Sequence, residues 1–267
     1  MRKIIPIRFS EKDFGAILNH YDYSLHPGDI VAGTIFHQES KGFLVDIGAH
    51  VAGYLPIDEM LLNSFNNYDQ YPLEKFVNDT REFFILAYDQ QKQQLLLSIK
   101  RLDYIRAWKR IKQLESEDII LHLPISNFNK GGILTILEGL QSFIPRSHLI
   151  SFVYDQGFVK NNIPCKLLFS DEKTNKLILS HKLAMLSIYS NLLKVGSIVY
   201  GEITQIKKYG IFITIYGIPA LLHISEIGYT HIDNINCIFQ IGKKIKVKII
   251  HIDMHQGRIS VSKREVD

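Results

Sequence analysis

Residues 252–264 read Ile252-Asp253, then, after four intervening residues, Arg258-Ile259-Ser260-Val261-Ser262-Lys263-Arg264. Two other segments end alike. One is Tyr88-Asp89 followed by Leu95-Leu96-Leu97-Ser98-Ile99-Lys100. The other is Ser170-Asp171 followed by Leu177-Ile178-Leu179-Ser180-His181-Lys182. Asp89, Asp171 and Asp253 are spaced by 82 residues, and so are Ser98, Ser180 and Ser262. Two equal intervals with matched flanks mark an internal repeat, and a repeat governs the reading of the whole fold.

Working upstream, Pro27-Gly28-Asp29-Ile30-Val31 parallels Val195-Gly196-Ser197-Ile198-Val199. Lys41-Gly42-Phe43 parallels Lys130-Gly131-Gly132 and Lys208-Tyr209-Gly210. Gly53-Tyr54-Leu55-Pro56 parallels Ser142-Phe143-Ile144-Pro145 and Ala220-Leu221-Leu222-His223. In the last unit, apolar residues alternate in runs over 197–206, 209–216, 219–223, 245–253 and 257–263, broken by glycine turns. Period-two alternation with such turns predicts strands. Five strands, with a longer connection after the third, predict a small Greek-key barrel of OB type. A short helix is expected within 224–244. The fold class is therefore all-β: three tandem five-stranded OB-fold barrels joined by short helical connectors.

The expected organisation is an N-terminal extension (1–25), a first repeat (26–100), a basic helical linker (101–114), a second repeat (115–183), a linker (184–193) and a third repeat (194–264). In the first linker Leu102, Ile105, Trp108, Ile111 and Leu114 recur every three residues between basic side chains, which predicts an amphipathic helix.

Composition excludes several classes. Of 267 residues, 46% are hydrophobic and 22% charged, as in a folded globular chain. The N-terminal apolar run is too short for a signal h-region, and its early acidic residues argue against a transit peptide. The longest uncharged run, 209–225, alternates and contains Gly210, Gly217 and Pro219. It reads as strand, turn, strand and not as a membrane helix, which needs about 20 apolar residues. An unexported protein with no membrane partner is expected. Two cysteines, Cys165 and Cys237, cannot build a disulfide framework.

Catalytic and metal motifs are weak. His251 and His255 are spaced four apart but fall at a strand-to-turn junction without a third ligand. His223-Ile224-Ser225 lacks an oriented acid partner. No phosphate loop or dinucleotide fingerprint occurs. No enzyme, cofactor, metal or small-molecule substrate is expected.

The net charge of +4 conceals a polarity. Residues 26–100 carry five positive and ten negative charges, residues 101–114 five and one, and residues 194–264 ten and four. Phosphates attract positive charge and release counterions when neutralised. The third repeat is thus the expected polyanion site, with the helix 101–114 as a second contact. The acidic first repeat suits a basic protein partner.

Non-specific single-strand binding also needs aromatic platforms. In the third repeat Tyr209 and Phe212 fall on the second strand and His223 ends the third. The matched positions are taken as Gly42, Val45 and Pro56 in the first repeat, and as Gly131, Leu134 and Pro145 in the second. The aromatic set then occurs once. Tyr209 and Phe212 would face opposite sides of an ideal strand, and Gly210 permits a bulge that brings them together. Phe212 as plain core is the competing reading. Lys207 and Lys208 flank the platform, within reach of phosphates, or are ordinary solvated charges. Lys130 and Arg146 are the corresponding cations of the second repeat.

Several of these stretches resemble a known family. Tyr209-Gly210-Ile211-Phe212, Leu221-Leu222-His223-Ile224-Ser225-Glu226-Ile227 and Arg258-Ile259-Ser260-Val261-Ser262 resemble the RNA-binding repeat of small-subunit ribosomal protein S-one. Asn129-Lys130-Gly131-Gly132 and Phe143-Ile144-Pro145-x-Ser147 look like its second repeat. Asp13-Phe14 through Tyr21-Asp22-Tyr23, with Pro27-Gly28-Asp29-Ile30-Val31 after it, resembles the three-repeat form of photosynthetic bacteria and plastids. The resemblance implies a ribosomal protein that holds single-stranded mRNA on the small subunit during initiation. Early repeats would dock on small-subunit proteins, and later ones would hold RNA. It also implies an RNA-facing set that includes Asp253 and Arg258 with the aromatics, although the recurrence of Asp253 as Asp89 and Asp171 equally fits a turn aspartate. An accessory protein of RNA processing or degradation is the alternative. Forty isoleucines, and 22 lysines against nine arginines, suit an AT-rich, plastid-encoded gene, with bacterial cytoplasm the other location.

Overall fold

The computed structural model describes residues 25–61, 76–89, 93–150, 162–228, 235, 238–254, 256–264 and 266. The extension 1–24, with its Asp13-Phe14 and Tyr21 to Tyr23 motifs, lies outside them, as do Cys237, His255 and, within 224–244, residues 229–234 and 236. The described part of that stretch holds a short 3-10 turn, Ile224–Glu226.

The first repeat holds β1 (Ile30–Glu39), β2 (Gly42–Asp46), β3 (Gly53–Pro56), β4 (Thr80–Asp89) and β5 (Gln94–Ser98). They close a barrel in the order β1-β2-β3-β5-β4, with only β3 and β5 parallel. Closure needs the long strands to bend. β1 shifts register between Ile35 and His37, and β4 between Ile85 and Ala87. Such bulges increase local twist and let one strand serve two neighbours. Val31, Ile35, Phe43, Val45, Leu55, Phe83, Ile85 and Leu97 fill the interior.

The helix α1 spans Ile99–Ser116, longer than the 101–114 read from its spacing. Leu102, Trp108, Ile111 and Leu114 are buried, but Ile105 is exposed. Residues every third position drift around a 3.6-residue helix, so they cannot all share one face. Its basic charge is partly engaged: Arg106 pairs with Glu82 and Lys112 with Glu172.

The second repeat holds β6 (Leu121–Leu123), β7 (Ile125–Asn129), β8 (Gly132–Leu137), β9 (Leu140–Pro145), β10 (Ile163–Asp171) and β11 (Lys176–Ser180). Here the count departs from five. The sheet runs β6-β10-β11-β9-β8-β7, because Pro124 divides the first strand into two pieces. β6 pairs with β10 and β7 with β8. Proline has no amide to donate to a ladder, so the break falls where the strand changes neighbours. Burial pushes the thiol of Cys165, on β10, up to about 12.

The helix α2 spans His181–Ile188. The third barrel follows: β12 (Ile198–Lys207), β13 (Gly210–Ile215), β14 (Ile218–His223), β15 (Lys244–Asp253) and β16 (Arg258–Ser262), closed as β12-β13-β14-β16-β15. Ile211, Ile213, Ile215, Leu222, Val247, Ile249 and Val261 are core, and Leu183 and Leu186 of α2 join the same cluster. The second and third barrels thus share apolar contacts through α2. Among the described residues no helix is long and apolar enough to cross a membrane.

The three barrels share a signature that the 82-residue spacing already carried. Ser98 and Ser180 end a barrel and cap the helix after it. Arg101 N–H donates to Ser98 Oγ at 2.7 Å, and Leu183 N–H to Ser180 Oγ at 3.2 Å. Each serine also meets the short 3-10 turn after the third strand: Ser98 at Glu59, Ser180 at His148 and Ser262 at the Glu226 carbonyl.

Candidate nucleic-acid interface

The register of the third barrel sets the site. Cα partners run Gln205–Phe212–Leu221–Ser260–His251 across all five strands. Alternation puts this row outside, since Ile211 and Ile213 on either side of Phe212 are fully buried. Phe212 is half-buried and faces outward, so it is not core. Tyr209 lies in the β12–β13 turn and not on the strand, and is 50% exposed. The two rings meet edge to face, with centroids 6.1 Å apart and planes at 86°. The expected bulge is not at Gly210; it lies on the partner strand, between Ile203 and Gln205.

Gly210 serves instead through close approach. A Cβ there would stand 2.5 Å from the Leu222 carbonyl oxygen. Gly42 and Gly132 hold the same place, 2.5 Å from the Leu55 oxygen and 2.0 Å from the Ile144 oxygen. These glycines fix the true alignment. Tyr209 then matches Lys41 and Gly131, and Phe212 matches Leu44 and Leu134. The expected match to Gly42 and Val45 is therefore one residue out. Such a slip exchanges the faces of a strand, and Val45 is indeed core while Leu44 faces out.

Tyr209, Phe212, Asp253 and Arg258 line one open groove of about 630 Å³, together with His251 and Lys182. Asp253 and Arg258 are direct partners across β15 and β16. Asp253 is also a turn residue, its Oδ1 accepting the Gln256 amide at 3.0 Å. Asp171 does the same for the Lys173 amide at 3.0 Å. His223 stands opposite Gly210 at the end of β14, beyond the groove lining. Its Nδ1 accepts the Ser225 amide at 3.3 Å, which leaves the ring proton on Nε2 when neutral. Lys207 and Lys208 are exposed at the β12–β13 corner, also outside the lining. Lys130 and Arg146 belong to the matching corner of the second barrel, where the Arg146 amide donates to the Gly131 carbonyl at 2.8 Å.

Two features escaped the sequence reading. The outer row of the second barrel is Asn127–Leu134–Phe143–Ile178–Phe169, so it presents two aromatics of its own. Phe169 is 46% exposed. These sit on different strands from Tyr209 and Phe212, so matching the motif positions misses them. Lys182 was missed because it comes from the preceding repeat. Its signal was the basic residue two beyond each repeated serine, Lys100, Lys182 and Arg264. Burial, then the nearby Arg258, hold Lys182 below the usual lysine range. Burial, then Lys182 and Arg258, also lower His148. Among the described residues no cluster of three His, Cys, Asp or Glu side chains could hold a metal.

The family described as S1 RNA binding domain matches residues 24–100 and 192–264, the first and third barrels. The chain is 48% identical over 259 residues to the small ribosomal subunit protein bS1c of Pyropia yezoensis, covering 97% of both chains. The chain belongs to the bS1 family of small ribosomal subunit proteins. Within bS1, protein bS1A of Synechocystis is 44% identical, covering 98% of this chain and 79% of the relative. The bS1c protein of Spinacia oleracea is 33% identical, over 98% of this chain and 63% of the relative. The middle barrel, outside the two matched stretches, keeps the register of the other two, Gly132 pairing with Pro145 as Gly42 does with Pro56 and Gly210 with His223.

Proposed function

We propose that this chain is a component of the small ribosomal subunit that binds single-stranded mRNA and helps to hold it there during translation initiation. The observation that carries this reading is the third-barrel groove, which the edge-to-face Tyr209–Phe212 pair lines together with Arg258 within a repeat of net positive charge. Aromatic faces stack bases of any sequence, and cations track the backbone. Lys207, Lys208 and His223 extend the contact at the β12–β13 corner, and Asp253 orders the groove rim. Lys130 and Arg146, with Phe143 and Phe169, form a weaker contact on the second barrel.

The acidic first repeat docks on a basic small-subunit protein by charge complementarity. The relatives named bS1c come from red algal and spinach sources, which supports a plastid ribosome as the location. The abundance of isoleucine and lysine supports a plastid gene. The relatives' names, which are those of ribosomal proteins, support a binding role over an enzymatic one.

Co-sedimentation with small subunits, combined with RNA titration, tests this. The full chain should pellet with subunits, and Tyr209→Ala with Phe212→Ala should still pellet while losing RNA affinity. Failure of the unaltered chain to pellet, or cleavage of RNA by it, would overturn the reading.

A further inference from the structure

The RNA groove of the third barrel is lined in part by the second repeat. Lys182 stands in the first turn of α2, two residues after the serine that closes the second barrel, yet it lines the groove with Tyr209, Phe212, His251 and Arg258. The contact is close. A Cβ on Gly257, in the β15–β16 turn, would come within 2.8 Å of Lys182 Cβ, so only a glycine lets that turn rest on the lysine stem. Beside it, Ile150 packs against Gly217, and Tyr189 stacks on Tyr216 with centroids 4.8 Å apart and planes at 16°. Leu183, Leu186 and Leu193 are buried in the third barrel's own core cluster. The lysine is therefore held in place by packing from both repeats.

Lys182 already has one structural bond, to the Ser147 carbonyl. Its counterparts make the same bond in the other barrels, Lys100 to the Asp58 carbonyl at 3.4 Å and Arg264 to the Ser225 carbonyl. An ammonium carries three N–H donors, so that bond leaves donors for a ligand. What separates Lys182 from its counterparts is the groove of the next barrel. Arg258 lies near enough to disfavour its charge, and His148 feels both. Cations gathered beside two aromatic rings suit a phosphate whose base is stacked. The acidic member of the groove, Asp253, turns Oδ1 to its own turn amide.

We infer that Lys182 and Arg258, from two successive repeats, clamp one phosphate of the single-stranded RNA whose bases stack on Tyr209 and Phe212, so that the second and third repeats bind RNA as one body. This rests on the third-barrel RNA reading proposed above and adds a partner from the repeat before it.

The test is titration of a labelled single-stranded oligoribonucleotide with the full chain at several salt concentrations. Lys182→Met keeps the apolar stem and removes the charge. It should weaken binding severalfold and reduce the salt slope by about 0.7, the value for one phosphate contact on a single strand. Lys182→Arg should restore the slope. Lys100→Met removes the equivalent structural bond in the first barrel and should change neither quantity. If Lys182→Met leaves the slope unchanged while Tyr209→Ala with Phe212→Ala still loses affinity, the clamp is wrong and the third-barrel site stands. If the unaltered chain binds no RNA, both fall. If Lys100→Met lowers the slope as much as Lys182→Met, the effect is structural and the clamp is again overturned.

Discussion

Ser98 Oγ lies 2.6 Å from a carboxylate oxygen of Glu59, 39 residues away, while accepting the amide of Arg101 at 2.7 Å. One hydroxyl thus ties the last strand of the first barrel to the turn after its third strand and to the first turn of α1. Ser180 repeats the arrangement, with His148 Nδ1 at 2.9 Å in place of the carboxylate. Loss of an N-cap hydroxyl costs about 0.5–2 kcal/mol. Ser98→Ala and Ser180→Ala should each lower unfolding free energy by about 1 kcal/mol, because a half-buried partner, Glu59 or His148, loses its hydrogen bond as well. Urea unfolding of the two variants checks this, and RNA affinity should change little.

Gly210 should not tolerate a side chain. A methyl group would have to displace the Leu222 carbonyl, a backbone atom of the neighbouring strand. Overpacking of this kind costs about 1–3 kcal/mol. Gly210→Ala should lose stability in that range by urea unfolding. It should also weaken RNA binding, since the β12–β13 corner carries Tyr209. Gly228→Ala, where a Cβ would meet nothing within 4 Å, is the control.

Acid should weaken the junction between the second barrel and α2. Burial holds His181 below the ordinary histidine value of 6.5, against a partly offsetting bond between its Nδ1 and the Pro164 carbonyl. The unfolded chain then binds a proton that the folded chain refuses, so stability rises with pH across that interval. The contribution is intact above 6.5 and is lost as pH falls below it. His148 is lowered too, by burial and by Lys182 and Arg258, and acts in the same direction. His181→Gln should flatten the dependence measured by urea unfolding between about pH 7.5 and 5.5. An unchanged slope would remove His181 as a cause.

Much of this architecture is written in the sequence because its rules are periodic. The matched aspartates and serines mark the ends of the last two strands, and alternation over Ile211, Ile213 and Ile215 marks the core. What needs three dimensions is register and neighbourhood. Counting from a Lys-Gly motif aligned Val45 with Phe212, and only the glycine pressed against a carbonyl shows that Leu44 holds that place. The Pro124 break shows in the sequence only once it is known where the first strand changes partners. Lys182 reads as the tail of its own repeat, since nothing local shows that the next barrel rests on it. Phe143 and Phe169 are likewise hidden, being brought to either side of Ile178 only by the pairing of β9 and β10 with β11.

The central claim is that single-stranded RNA is held on the third barrel by Tyr209 and Phe212. It is tested most directly by titrating a labelled single-stranded oligoribonucleotide with three full-length proteins: the unaltered chain, Tyr209→Ala with Phe212→Ala, and Leu44→Ala with Leu134→Ala, the residues at Phe212's place in the other barrels. Stacking on an aromatic side chain is worth about 1–3 kcal/mol per base, or roughly fivefold to a hundredfold in affinity. The aromatic variant should lose at least that lower amount while remaining folded by circular dichroism, and the leucine variant should bind nearly as the unaltered chain does. Equal losses in the two variants, or no loss in the first, would contradict the account.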